Sequence, residues 1–195
     1  MLLSSGLEKW RKVVKISRML FVELAFLGVT ALVLMGCPSG GAAAPSTADV
    51  SKAFSAMNTA QSYAPADSQS YYGAGTYSFG PLSGPNGGSV AITYTVSDPT
   101  QSTWTATGTL TFTNWVDTST GYTINGTVSV SETITGPQST ANAIDATITC
   151  NLTLSGGTIS TLSCNIHESI TFTPLSVTLS GNVTANGFQY DVTKL

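Results

Sequence analysis

From Tyr71 to the C-terminus, Thr and Ser alternate with aliphatic and aromatic residues over long windows. That period of two is the mark of strands with one wet face and one buried face. Ile92, Tyr94 and Val96 share one such face, Trp104, Ala106, Leu110 and Phe112 the next, and Tyr122, Ile124, Val128, Val130 and Ile134 a third. Further runs are Ile144 to Leu154, Leu162 to Phe172, Leu175 to Val183, and Phe188, Tyr190 and Val192. Turn residues separate them at Gly84–Gly88, Asp98-Pro99, Asp117–Gly121, Gly136-Pro137, Gly156-Gly157, Pro174 and Asn186-Gly187. With one more strand near Thr76–Gly80, the pattern predicts about eight strands. No helical stretch interrupts them, so the sheet is antiparallel and a meander is its simplest order. One wet face and one apolar face over eight strands require closure or folding over. The expected fold is therefore all-β, a barrel or strongly curved sheet, with a β-sandwich as the alternative.

One period-3.6 segment precedes the strands. Val50, Ala53, Phe54 and Met57 recur at helical spacing, Ser46 or Thr47 can cap the start, and Asp49 falls in the first turn. Pro65 disfavours helix at Ala64, so a helix over 47–62 is expected to stop by about Gln61. A helix this short is marginal alone and needs the sheet to lie on; a place over one opening of the barrel is expected.

Local pairings follow from the same pattern. An Asn-Gly turn at 186–187 pairs Ala185 with Phe188 and Val183 with Tyr190. Cys150 and Cys164 lie symmetrically about Gly157, which also brings Leu152 to Leu162 and Ile148 to Ile166. A cross-strand disulfide fits that register, and the loop it closes gives about 3 kcal/mol in the chain-entropy model. Continued outward, the register sets Glu168 opposite Ala146, and the preceding hairpin sets Glu132 opposite the same alanine. The two carboxylates would stand about 10 Å apart, two strand spacings. Both are in phase with apolar residues and neither strand carries Lys or Arg. Such a pair suits a cation, a ligand amine or paired acid–base work; the plainer account is a water-filled open end of the sheet, or a device against edge pairing.

Charge narrows the classes. The 195 residues carry 7 Lys+Arg and 10 Asp+Glu, with a single His. Five of the cations precede residue 20; from Cys37 onward Lys52 and Lys194 face eight acids, a net of −6. That surface repels nucleic acid. No metal motif, cofactor-binding loop or nucleophile elbow is present, and no catalytic residue, metal or cofactor is assigned. His167 shares the polar face with Asp145, where a solvated position is expected. Tyr71, Tyr72, Tyr77, Phe79, Trp104 and Trp115 offer either core packing or an aromatic platform for sugars or lipids. Strands with only one apolar face do not make a lipid-facing barrel wall.

The basic cluster Lys9–Arg18, the apolar run Met19–Met35 and the sequence Leu34-Met35-Gly36-Cys37 form the parts of a secretory signal. They resemble the bacterial lipoprotein signal peptide class, in which a Leu three places before the cysteine and a Gly or Ala just before it mark lipid transfer and cleavage. Met35 stands where that class prefers a smaller residue. The resemblance implies residues 1–36 as signal peptide and Cys37 as the lipidated first residue of the mature chain. It also accounts for the odd cysteine. Residues 37–46, rich in Pro, Ser, Gly and Ala, follow as a flexible tether, ahead of a β-domain over 71–195. Without Asp after the cysteine, the anchor resembles those sorted to an outer membrane. A non-catalytic envelope protein is expected, tethered to the membrane by lipid. Its role would be to hold a small apolar or glycan ligand near Glu132 and Glu168. The alternative is a structural or adhesive protein that docks another envelope protein.

Overall fold

A computed structural model of the chain describes residues 43–61, 73–137 and 141–195. The expected signal peptide over residues 1–36, with Cys37, Pro65, Tyr71 and Tyr72, lies outside the described residues. Helix α1 (Thr47–Gln61) leads into strands β1 (Gly75–Ser83), β2 (Ser89–Val96), β3 (Thr103–Asp117) and β4 (Tyr122–Thr135). Then come β5 (Ala143–Ser155), β6 (Thr161–Phe172), β7 (Leu175–Ala185), β8 (Phe188–Asp191) and a 3₁₀ turn at Val192–Lys194.

The eight strands make one antiparallel sheet in sequence order. β1 and β8 do not pair, so the sheet is open and curved, neither a closed barrel nor a sandwich. Helix α1 accordingly has no barrel mouth to cover and instead lies across the apolar face, against β3 and β4. Its start is capped by Ser46, whose Oγ accepts the Asp49 N–H at 3.1 Å and donates to Asp49 Oδ2 at 2.6 Å. Val50, Ala53, Ala56, Met57 and Ala60 are buried against the sheet. Just before the cap, the Pro45 carbonyl accepts the Tyr190 hydroxyl at 2.5 Å, which fixes the chain's entry point to β8.

The registers follow the alternation. Cys150 faces Cys164, Leu152 faces Leu162, Ile148 faces Ile166, Ala185 faces Phe188 and Val183 faces Tyr190. One break in the alternation matters. Between Phe112 and Trp115 β3 bulges, with Asn114 at φ 48° and its N–H accepted by Asn125 Oδ1 at 2.7 Å. The bulge reverses which face each residue takes, so Trp115 and Asp117 turn inward where simple alternation sends them out. Trp115 then packs edge-on to Phe112, at 6.2 Å between ring centroids.

Candidate functional site

Two rows of the sheet carry the chemistry, on opposite faces. Across the apolar face runs Ala106, Glu132, Ala146, Glu168 and Leu179, each the register partner of the next. Both carboxylates thus flank Ala146, two strand spacings apart. Along their own strands they sit between Val130 and Ile134, and between Ile166 and Ile170. Each glutamate is only 3% exposed, so neither reaches water at an open end of the sheet. Glu132 Oε1 and Glu168 Oε2 have no hydrogen-bond partner.

That environment penalises charge. Burial, reinforced by the Glu168 charge, pushes the Glu132 carboxyl up to about 8. Burial alone raises Glu168 to about 7. The smaller rise fits its place on β6, one strand from the edge β7, with fewer protein atoms around it. Near neutral pH Glu132 is therefore mostly protonated and Glu168 about half so, where sequence alone suggests two anions.

On the other face, the alternating hydroxyls pave a concavity of about 330 Å³. Thr93 and Thr95 of β2, Thr107 and Thr109 of β3, Ser129 and Ser131 of β4, and Thr147 and Thr149 of β5 line it. Gly108, which has no side chain, lies in its floor with Tyr94 and Val130. The residues that carry these hydroxyls are spaced about 4.8 Å apart across strands and about 6.8 Å apart along them. Thr109 Oγ1 and Ser129 Oγ are 3.2 Å apart and share a hydrogen bond. Neither Glu132 nor Glu168 lines this concavity; the backbone of the sheet separates them from it. The expected ligand mouth around the glutamates is thus not where this cavity opens. Sequence analysis missed the hydroxyl groove, although the Thr-x-Thr spacing on four consecutive strands is its signal.

The remaining candidates disperse. Cys150 and Cys164 are Cα partners in register, both buried and with free thiols in the structure. Their mutual hydrogen bond, then burial, holds the Cys150 thiol well above its ordinary value. His167 Nε2 lies 3.4 Å from Asp145 Oδ2, both exposed on the polar face. The aromatic residues form no single platform. Tyr77 lies tilted against Tyr94 at 5.0 Å and Phe79 stacks on it at 5.8 Å between ring centroids. Trp115 belongs to the core, while Trp104 bonds the Gly136 carbonyl at 3.0 Å toward the other end of the sheet. Among the described residues there is no cluster of three or more His, Cys, Asp or Glu able to hold a metal ion. None of their helices is long and apolar enough to cross a membrane. The chain matches no protein-family model, no curated protein and no solved structure.

Proposed function

We propose that this is a lipid-anchored lipoprotein of the cell envelope, held by Cys37 at the outer membrane, that binds a glycan in the hydroxyl groove without catalysis. The observation that carries the ligand class is the cavity lined by eight Thr and Ser side chains. Each hydroxyl both donates and accepts, as sugar hydroxyls do. The Thr methyl groups offer shallow apolar contact to the C–H faces of a sugar ring. A small apolar ligand is less well served, because helix α1 and its partners already fill the apolar face. The anchor is supported by Leu34-Met35-Gly36-Cys37. A Cys150–Cys164 staple is supported by their direct register and suits an oxidising envelope.

Two measurements test this. An intact-mass spectrum of the full chain expressed in a bacterium should show loss of residues 1–36, added lipid on Cys37, and two hydrogens fewer for the joined cysteines. Cys37→Ser should abolish lipid and cleavage together; an uncleaved, unlipidated wild type overturns the anchor. For the groove, the protein should retain soluble envelope polysaccharide fragments. Thr109→Val with Ser129→Ala, which removes two central hydroxyls with little added bulk, should weaken retention about tenfold or more. Equal retention by that variant excludes the groove.

A second reading, docking of an envelope protein through a strand edge, is favoured by the unpaired edge of β7. Leu175 there is 72% exposed.

A further inference from the structure

Three Asn-Gly pairs stand in the chain, Asn86-Gly87, Asn125-Gly126 and Asn186-Gly187. All three carry the same latent chemistry. With no Cβ to crowd its approach, the glycine nitrogen can attack the asparagine side-chain carbonyl carbon and expel ammonia. The nitrogen and the carbon must first reach near-attack distance, which takes rotation of both side chain and main chain. Hydrogen bonds and strand pairing that oppose those rotations therefore decide which pair reacts.

Two of the pairs are locked. Asn186 Oδ1 accepts the Ser160 and Thr161 N–H groups at 2.8 and 3.1 Å and the Ser160 hydroxyl at 3.0 Å. Its Nδ2 donates to the Thr158 carbonyl at 3.0 Å, so four bonds must break before the side chain can turn toward Gly187. Asn125 lies inside β4 opposite Thr153, with its Oδ1 accepting the Asn114 N–H at 2.7 Å. Gly126 is paired on both sides, with Phe112 and Leu152, and a Cβ on it would stand 2.2 Å from the Asn151 carbonyl oxygen. Its main chain has no room to rotate.

Asn86 is held far less. It is exposed, in the turn between β1 and β2. Its one side-chain hydrogen bond among the described residues runs from Nδ2 to Thr118 Oγ1 and is 3.4 Å long, beyond the usual range. The Gly87 N–H is bound as loosely, to the Gly84 carbonyl at 3.4 Å. A Cβ on Gly87 would meet only Val116 Cγ2, at 3.6 Å, so the space around the attacking nitrogen is open.

We infer that Asn86 is a site of spontaneous modification in the folded protein, converted to aspartate and isoaspartate, while Asn125 and Asn186 are preserved. The Gly87 N–H gives its proton to solvent base as the nitrogen bonds to Asn86 Cγ. The Cγ–Nδ2 bond then breaks, and ammonia leaves with a proton taken from water. Water opens the five-membered ring at either of its two carbonyls. One opening gives aspartate; the other gives isoaspartate, in which the main chain runs through Cγ. Water enters and ammonia leaves, with no oxidation or reduction. Either product sets a carboxylate where Asn86 donated to Thr118. The second also adds a methylene to the turn that Gly84 N–H and Gly88 O close at 2.9 Å.

Ageing the full chain in warm neutral buffer with detergent for several weeks tests this. Peptides from a proteolytic digest report each asparagine separately, because conversion adds about one dalton. Asn86 should convert at least about tenfold faster than Asn125 or Asn186. In guanidinium chloride, where the fold no longer holds any of them, the three rates should agree within about fivefold. Equal rates in the folded protein overturn the inference. A preference for Asn86 that persists in guanidinium chloride overturns it too, since local sequence would then set the rate. Isoaspartate should accompany aspartate at position 86; aspartate alone would mean direct hydrolysis by water and no ring. Asn86→Gln, an exposed change that cannot close the five-membered ring, should abolish the acidic species seen by ion exchange. Persistence of that species in the variant would place the modification elsewhere.

Discussion

Between pH 5 and pH 8 the protein is expected to lose about 3 kcal/mol of stability through Glu132 alone. The ordinary carboxyl value is 4.5, and in the fold Glu132 titrates at about 8. Below pH 4.5 folded and unfolded chains both hold the proton, and the full stability is present. Between the two values the unfolded chain has released it while the folded chain still binds it, so each pH increment favours unfolding. Above about pH 8 both states are ionised and the slope ends. Glu168, at about 7, adds a smaller loss over the lower part of the same window. The groups facing Glu132 across the sheet are Ala106 and Ala146, and those facing Glu168 are Ala146 and Leu179, so no cation offsets the charge. The lowered Asp49, Asp98 and Asp191 carboxyls are held by local hydrogen bonds and titrate below this window.

Glu132→Gln isolates the effect. It keeps the volume and removes the proton, so its urea unfolding free energy should be nearly flat from about pH 5 to pH 8 apart from the contribution of Glu168. At pH 8 the variant should exceed the wild type by about 2–3 kcal/mol. At pH 5, where the wild-type acid is neutral, the two should agree within about 1 kcal/mol. Equal wild-type stability at pH 5 and pH 8 would mean that the carboxyl is solvated or paired in solution. Between pH 5 and pH 8 the two buried glutamates, both raised by burial, set the slope of stability with pH.

The strand pairings were legible because a period of two leaves little freedom. Once Cys150 and Cys164 are set about Gly157, a shift by one residue would turn every Ile and Leu of β5 and β6 to water. The placement of both glutamates opposite Ala146 came from that same constraint. What alternation cannot carry is anything that breaks it or depends on three dimensions. The bulge at Asn114 shifts the phase by one residue and sends Trp115 inward, and nothing in the run Thr111–Val116 marks it except an asparagine tolerant of positive φ. Whether the sheet closes depends on its curvature and on its edges, where β1 is broken by a bulge at Pro81. The position of α1 followed from that openness. The polar groove was hidden for a different reason: Thr and Ser on a wet face read as solubility until twist brings four strands around a common hollow.

The largest single loss of stability is expected at Tyr122, which is 1% exposed and joins β4 to the loop between β5 and β6. Its hydroxyl accepts the buried Ile159 N–H at 3.3 Å. Lys52 of α1 lies with Nζ 6.0 Å from the ring centroid. The loop passes flat against the ring at Gly157, where a Cβ would stand 2.3 Å from one ring carbon. The loop's other side is held by Asn186, whose Oδ1 accepts the Ser160 and Thr161 N–H groups at 2.8 and 3.1 Å. Tyr122→Phe should cost about 1–2 kcal/mol, because it leaves the buried N–H of Ile159 unpaired. Tyr122→Ala should cost about 3–5 kcal/mol, since the cavity adds to the lost transfer energy. Gly157→Ala should cost about 1–3 kcal/mol through the clash with a rigid, fully packed ring. The double variant distinguishes this account from a backbone requirement for glycine. With the ring gone, the methyl group added at position 157 has room, so Gly157→Ala should cost little in the Tyr122→Ala background, a coupling of at least about 1 kcal/mol by urea denaturation. Strict additivity would mean that glycine is needed there for its backbone, and that Tyr122 merely lies nearby.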